Sequence, residues 1–186
     1  MNQTPRRKNV VLREKLQLIT EVQDTSEHRS LLVDLTDECP NSIRIVEPPP
    51  PIEQYTCLMH VLDFTDKPEF ISIAKVVHIP VGPDFAHWLI EGGHLIEGGH
   101  LVDVSKTEAQ EGDLVLYFKD GQFKHAGLWQ SDDRVLSKWG VGHLYDHEIF
   151  EVPMSYGTEV KIYNRLPYEE AFGFFREFVE ESGIKL

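Results

Sequence analysis

From residue 112 to residue 165 the sequence repeats short apolar-rich runs separated by turn residues about every ten positions, the rhythm of an antiparallel meander. Residues 114–119 alternate and end at Asp120-Gly121, a dipeptide that tolerates the positive φ a two-residue hairpin turn requires. Residues 123–130 form the return strand, Ser131-Asp132-Asp133 the next turn, and 134–139 the strand after it. Gly140-Val141-Gly142 leads into a further apolar-alternating run, and 159–165 is one more strand, about five in all. A helix over 167–182 closes the chain, with Pro167 near its first turn and Gly183 at its end. Ala171, Phe172, Phe175, Phe178 and Val179 share one of its faces, which packs on the sheet. This is an α+β architecture, with early helices packed on a later antiparallel sheet.

Four consecutive prolines, Pro48 to Pro51, mark the boundary upstream. Lacking amide donors and fixed in φ, they hold an extended path, so a helix can begin only beyond them. Thr56 offers an N-cap oxygen, and Leu58, Val61 and Leu62 follow with helical spacing. Cys57 therefore falls in the first turn of a short helix. A second helix starts at Asp66-Lys67-Pro68-Glu69, and Val76-Val77-His78-Ile79 reads as a strand. The chain divides into a lead-in (1–47), a helix and loop region (48–110), the sheet (111–166) and the closing helix (167–182), all one domain. In the lead-in, the apolar spacing of Val11, Leu12, Leu16, Ile19 and Val22 fits helix and strand alike.

Residues 82–110 read mostly as loop around a tandem repeat, Leu89-Ile90-Glu91-Gly92-Gly93-His94 followed by Leu95-Ile96-Glu97-Gly98-Gly99-His100. A metal site of His94, His100, Glu91 and Glu97, or a substrate lid, is one reading. Paired glycines leave such a loop too pliable to preset ligand geometry, so a tolerated local duplication is the better one, with no metal or cofactor expected. Lys and Arg number 18 against 31 Asp and Glu, a net charge of −13, which argues against nucleic-acid and anionic-membrane partners. Two cysteines are too few for a disulfide framework, and no signal or membrane-spanning run is visible, so a reducing, cytoplasmic setting is expected.

A thiol at a helix start sits beside amide donors the helix cannot use, which favours the thiolate and can also bind an oxyanion. Cys57 has that context; Cys39, between Glu38 and Pro40, does not. A nucleophilic cysteine needs a base, and among nine histidines His125 has the most suggestive surroundings. Gly127 shares its strand face and leaves room for another element, while Ala126 and Leu128 face the other way. The Tyr55 hydroxyl is a second candidate oxyanion donor, beside the Cys57 amide, and a ring that packs beside the proline run is the equal alternative. Trp129, Trp139 and Tyr117 suit core or groove wall, His60 a partly exposed helix face, and Lys138 a solvated strand position.

The run Gly112-Asp113-Leu114-Val115-Leu116-Tyr117-Phe118, a turn, then His125-Ala126-Gly127-Leu128-Trp129 resembles the central hairpin of the NlpC-type papain-like cysteine hydrolases. The upstream cysteine at a helix start, and the order cysteine, histidine, third polar residue, fit the same superfamily. Ser137-Lys138-Trp139-Gly140, then His147, then Tyr156-Gly157 resembles a divergent, poorly characterised branch of it. The likeness spans residues 55–165 and implies a papain-like fold with Cys57 as nucleophile and His125 as base. Either Ser137, in the slot after the base, or His147, one strand on, would orient that base. The chain departs from the superfamily at Thr56-Cys57-Leu58-Met59, where Asp-Cys-Ser-Gly is usual, which counts against a cell-wall peptide substrate. The implied activity is a peptidase or amidase acting on a peptide, amide or protein substrate through an acyl-enzyme. A non-catalytic binding module on the same scaffold, or an acyltransferase or lipase, are the alternatives.

Overall fold

The structure, a computed structural model, describes residues 7–46, 55–77, 82–96, 98–140 and 142–183. The four prolines, His78, Ile79, Glu97 and Val141 lie outside them. The apolar spacing of the lead-in resolves as helix: α1 spans Arg7–Glu21 and α2 spans His28–Glu38. Between them Asp24 accepts a hydrogen bond from the Ser26 amide at 3.0 Å and starts a 3-10 turn, Thr25–Glu27. A short strand, β1 (Arg44–Val46), ends the segment.

Helices α3 (Cys57–Val61), α4 (Pro68–Val77) and α5 (Pro83–Ala86) follow. Strands β2 (Leu114–Lys119), β3 (Gln122–Trp129), β4 (Arg134–Lys138), β5 (Leu144–Glu148) and β6 (Glu159–Tyr163) come next, and helix α6 (Tyr168–Glu181) closes the fold. The strands form one open antiparallel sheet in the order β1-β5-β4-β3-β2-β6. The sixth strand is β1, whose Arg44, Ile45 and Val46 pair with Asp146, Tyr145 and Leu144 at one edge. The lead-in is therefore an integral part of the domain. Among the described residues, no helix is long and apolar enough to cross a membrane.

Both sheet faces are covered, so the middle strands carry apolar side chains on each face. On one face Val115, Tyr117, Trp129, Val135, Trp139 and Tyr145 meet Leu12, Leu16 and Ile19 of α1 and Leu32 and Leu35 of α2. On the other, Leu114, Leu116, Phe118 and Ala126 meet Leu58, Phe70, Phe85 and Phe175 from the later helices. Phe64 stacks on Phe70 at 4.4 Å between ring centroids, with Phe175 against both.

Two local expectations need correction. Val76 and Val77 end α4 instead of starting a strand, because a helix nucleated at Pro68 extends through β-branched residues at small cost per residue. Residues 82–110 are not simply loop: α5 opens on Pro83 and runs into a π-helical turn, His87–Glu91, that buries Leu89 and Ile90. The second copy of the repeat buries Leu95 in the same core, which ties the glycine-rich stretch to the domain.

Candidate active site

Thr56 has extended backbone and its Oγ1 accepts from the Met59 amide at 3.2 Å, so Cys57 opens α3 as its N-cap predicts. Strands β3 and β4 pair through Leu128 with Leu136 and Trp129 with Val135. Helix α3 packs against both strands. The amide groups of Ala126, Leu58 and Cys57 itself face the sulfur and favour its ionised form. Gly127 is what lets β4 come close: a Cβ there would lie 2.4 Å from Val135 Cγ1 and 3.0 Å from Ser137 Cβ. Its missing side chain admits a neighbouring element, as the sequence implies.

The sulfur thus meets the backbone one residue from His125. That imidazole is 1% exposed and lies flat on Tyr156, with ring centroids 3.9 Å apart and planes 16° apart. Tyr117 borders it at 5.5 Å. His125 Nε2 is buried and, among the described residues, has no hydrogen-bond partner, so it is not bonded to the Cys57 sulfur. Burial holds its pKa well below the usual histidine value, and His147, His60 and Lys138 push the same way. The ring is neutral at pH 7 and has a free nitrogen.

Burial also pushes the Cys57 thiol up, and neither the facing amides nor the positive charge of Lys138 reverses it. The expectation of a resting thiolate is corrected on this point. A five-residue helix brings a small dipole, and the sulfur is too deep for it to dominate. The thiol must lose its proton to act, as a cysteine with a neighbouring base does.

Neither predicted orienting residue touches His125 by a hydrogen bond. Ser137 Oγ and His147 Nε2 are bonded to each other at 2.8 Å, and Trp139 Nε1 donates to Ser137 Oγ at 2.9 Å. His147 Nδ1 donates to the Glu148 carbonyl at 2.8 Å, which fixes Nε2 as the acceptor for the serine hydroxyl. Both imidazole nitrogens are used, and burial lowers the ring to about 4. Ser137 and His147 form a closed pair under α1 and α2, and His125 is instead held by stacking on Tyr156. Trp139 is no groove wall; it is fully buried and stacks on Tyr145 at 4.2 Å.

One residue at the site differs from its sequence reading. Lys138, expected in solvent, is 5% exposed; Nζ donates to the Gly140 carbonyl at 2.7 Å and sits 5.2 Å from the Tyr55 ring centroid. Burial lowers it to about 8. Tyr55 is half-buried and meets the site through its ring face, beside His60 at 6.4 Å, with its phenol pKa raised by burial. His60 is partly exposed, as expected, but its Nε2 is buried without a partner among the described residues, and burial pushes the ring to about 4. The available signal for Lys138 was its position in a strand covered on both faces, where alternation gives no residue an open side.

The motif Ser137-Lys138-Trp139-Gly140, His147, Tyr156-Gly157 converges in space. The Gly140 carbonyl takes the Lys138 bond, and the Gly140 amide faces the Tyr156 hydroxyl. Gly157 has φ of 89°, and a Cβ there would fall 2.0 Å from the Phe118 carbonyl oxygen, so only glycine fits. Arg13, from α1, is 1% exposed and donates Nε to the Val152 carbonyl at 3.0 Å and Nη2 to those of Pro153 (3.2 Å) and Gly157. It fixes the turn Met154–Tyr156 that lays Tyr156 on His125. A buried arginine on the N-terminal helix carried no motif that would have revealed this role.

The repeat histidines lie elsewhere. His94 stacks on Trp88 at 3.7 Å, and His100 Nδ1 bonds Glu170 Oε1 at 2.5 Å. Among the described residues no group of three or more potential ligands could hold a metal ion. No family model, curated protein or solved structure matches this chain.

Proposed function

We propose that the chain is a cysteine hydrolase, a peptidase or amidase of papain-like, NlpC-type architecture. One observation carries this reading: a thiol faced by three amide groups meets the backbone one residue from a fully buried imidazole whose Nε2 has no partner among the described residues. A buried ring nitrogen without a hydrogen bond costs about 1–3 kcal/mol, a cost with no structural return here. A nitrogen kept free and neutral can accept a proton. In the proposed sequence His125 takes the Cys57 proton and the thiolate attacks the substrate carbonyl carbon, forming a C–S bond. The Cys57 amide is placed to donate to the oxygen that becomes negative. Collapse breaks the C–N bond, and His125 returns its proton to the departing amine. Water, deprotonated by His125, then cleaves the thioester and restores the thiol.

The test is acylation by a small activated ester such as p-nitrophenyl acetate at pH 8.5, followed by mass spectrometry. The expected result is an acetyl group on Cys57 but not on Cys39, with turnover lost in His125→Ala. Equal, slow labelling of both cysteines in the folded protein would remove the hydrolase reading. It would leave a non-catalytic binding module, a reading favoured by the raised thiol and by the missing sulfur–imidazole hydrogen bond. An acyltransferase or lipase would form the same acetyl adduct and differ in releasing it to an acceptor other than water.

A further inference from the structure

Lys138 has no carboxylate within ion-pair distance among the described residues, though the chain has 31 acidic side chains. It ends β4, which α3 packs against together with β3. Alternation along β4 turns Lys138 away from the side of Ser137 and Trp139, toward the face that α3 covers. There Nζ has one carbonyl acceptor and one aromatic face, Gly140 and Tyr55. An ammonium has three donors, and burying one with so little compensation is costly unless an anion completes its shell. The groups that face this corner are Tyr55, Cys57 and His60 around α3, His125 on β3 and Tyr156 on its turn. Both histidines can only add positive charge, and both phenols resist ionisation, leaving the sulfur as the acid that can supply the anion.

We propose that Lys138 is the counter-ion of the Cys57 thiolate, the cation against which the nucleophile ionises. This rests on Cys57 being the nucleophile. It divides the work of the site between two residues: His125 moves the proton and Lys138 holds the charge that the proton leaves behind. In the resting protein the ammonium bonds the Gly140 carbonyl, and among the described residues no carboxylate takes its remaining donors. The same ammonium stays in place after acylation, when the sulfur is neutral, so it favours thiolate expulsion in the reverse step as much as thiolate formation.

The experiment titrates the thiol without any substrate. In a Cys39→Ser background, the rate of Cys57 alkylation by iodoacetamide is followed from pH 6 to pH 10, with absorbance at 240 nm as a second readout. Lys138→Met should move the thiol titration upward by about one unit, slowing alkylation at pH 7.5 about tenfold. Lys138→Arg, which keeps the charge, should stay within about threefold of the parent. Lys138→Gln serves the same purpose as the methionine variant if the latter does not fold, as read by circular dichroism. His125→Ala should leave the titration near that of the parent while abolishing release of the acetyl group. An unchanged titration in both neutral variants overturns the proposal, as does an arginine variant that behaves like methionine. Because the readout needs no turnover, a protein that hydrolyses nothing would sink the hydrolase reading and still answer this question.

Discussion

Two groups of buried polar side chains in the sheet are treated in opposite ways. One group, under α1 and α2, closes on itself. His28 bonds the Tyr145 hydroxyl and the Val22 carbonyl, Tyr117 donates to the Ile149 carbonyl, and the Trp139–Ser137–His147 chain ends on the Glu148 carbonyl. In the other group, around the Cys57 end of α3, His60 and His125 each keep a nitrogen without a partner and Lys138 lacks a carboxylate among the described residues, even though His125, paired with Tyr117, shares the α1/α2 face. The third unpartnered group, the Tyr168 hydroxyl, lies apart on α6. A protein seldom leaves buried polar atoms unmatched, and here they gather around the one thiol that opens a helix. The difference separates scaffold from site by hydrogen bonding alone, without reference to residue type.

The largest effect that would test the division is at Arg13. Arg13→Met removes three donor contacts, taking the guanidinium from the Val152 and Gly157 carbonyls and leaving Pro153 only its bond from the Tyr156 amide. We expect a loss of about 3–5 kcal/mol in urea unfolding. Acid comes next. His60 and His147 each have a folded pKa of about 4, below the unfolded value of 6.5. The unfolded chain therefore binds more protons, and the stability these rings contribute is complete above pH 6.5 and falls away toward pH 4. Between pH 7 and pH 4.5 each ring should cost about 2–3 kcal/mol, and His60→Gln should flatten the slope of stability against pH by one ring's share. A slope unaffected by that replacement would mean His60 reaches water.

Most of the scaffold was legible because it is local. Turn dipeptides, a capping threonine and a proline-led helix announce themselves within a few residues, and α3, α6 and the β2–β3 hairpin follow from them. The site was legible only where it borrows such signals: Cys57 from the cap, and His125 from Gly127 two positions on. What decided the remaining roles was register and cover. Ser137 and His147 point to the same face because Val135 pairs with His147 and Ser137 with Tyr145, and only the strand ladder shows that this face is sealed by α1 and α2. Lys138 looked solvated because nothing in its neighbourhood along the chain says that both sheet faces are buried. Arg13 reaches its carbonyls across 139 to 144 positions of sequence, a distance over which no pattern speaks.

The smaller effects bear on the comparison most directly, because they differ in sign. Ser137→Ala strands the Trp139 indole N–H and His147 Nε2, and should destabilise the fold by about 1–2 kcal/mol while acylation of Cys57 proceeds within a few-fold of the parent rate. His125→Phe keeps a flat ring for Tyr156 to stack on and removes a nitrogen that has no partner. It should leave the urea midpoint unchanged or raise stability by up to about 1 kcal/mol, and acylation should fall by a hundredfold or more. A closed, load-sharing histidine such as His147 cannot give that combination, since its loss unbinds two neighbours at once. If His125→Phe instead weakened the protein as Ser137→Ala does, the imidazole would be one more strut of the scaffold, and the boundary drawn between scaffold and site would fail at the residue on which it turns.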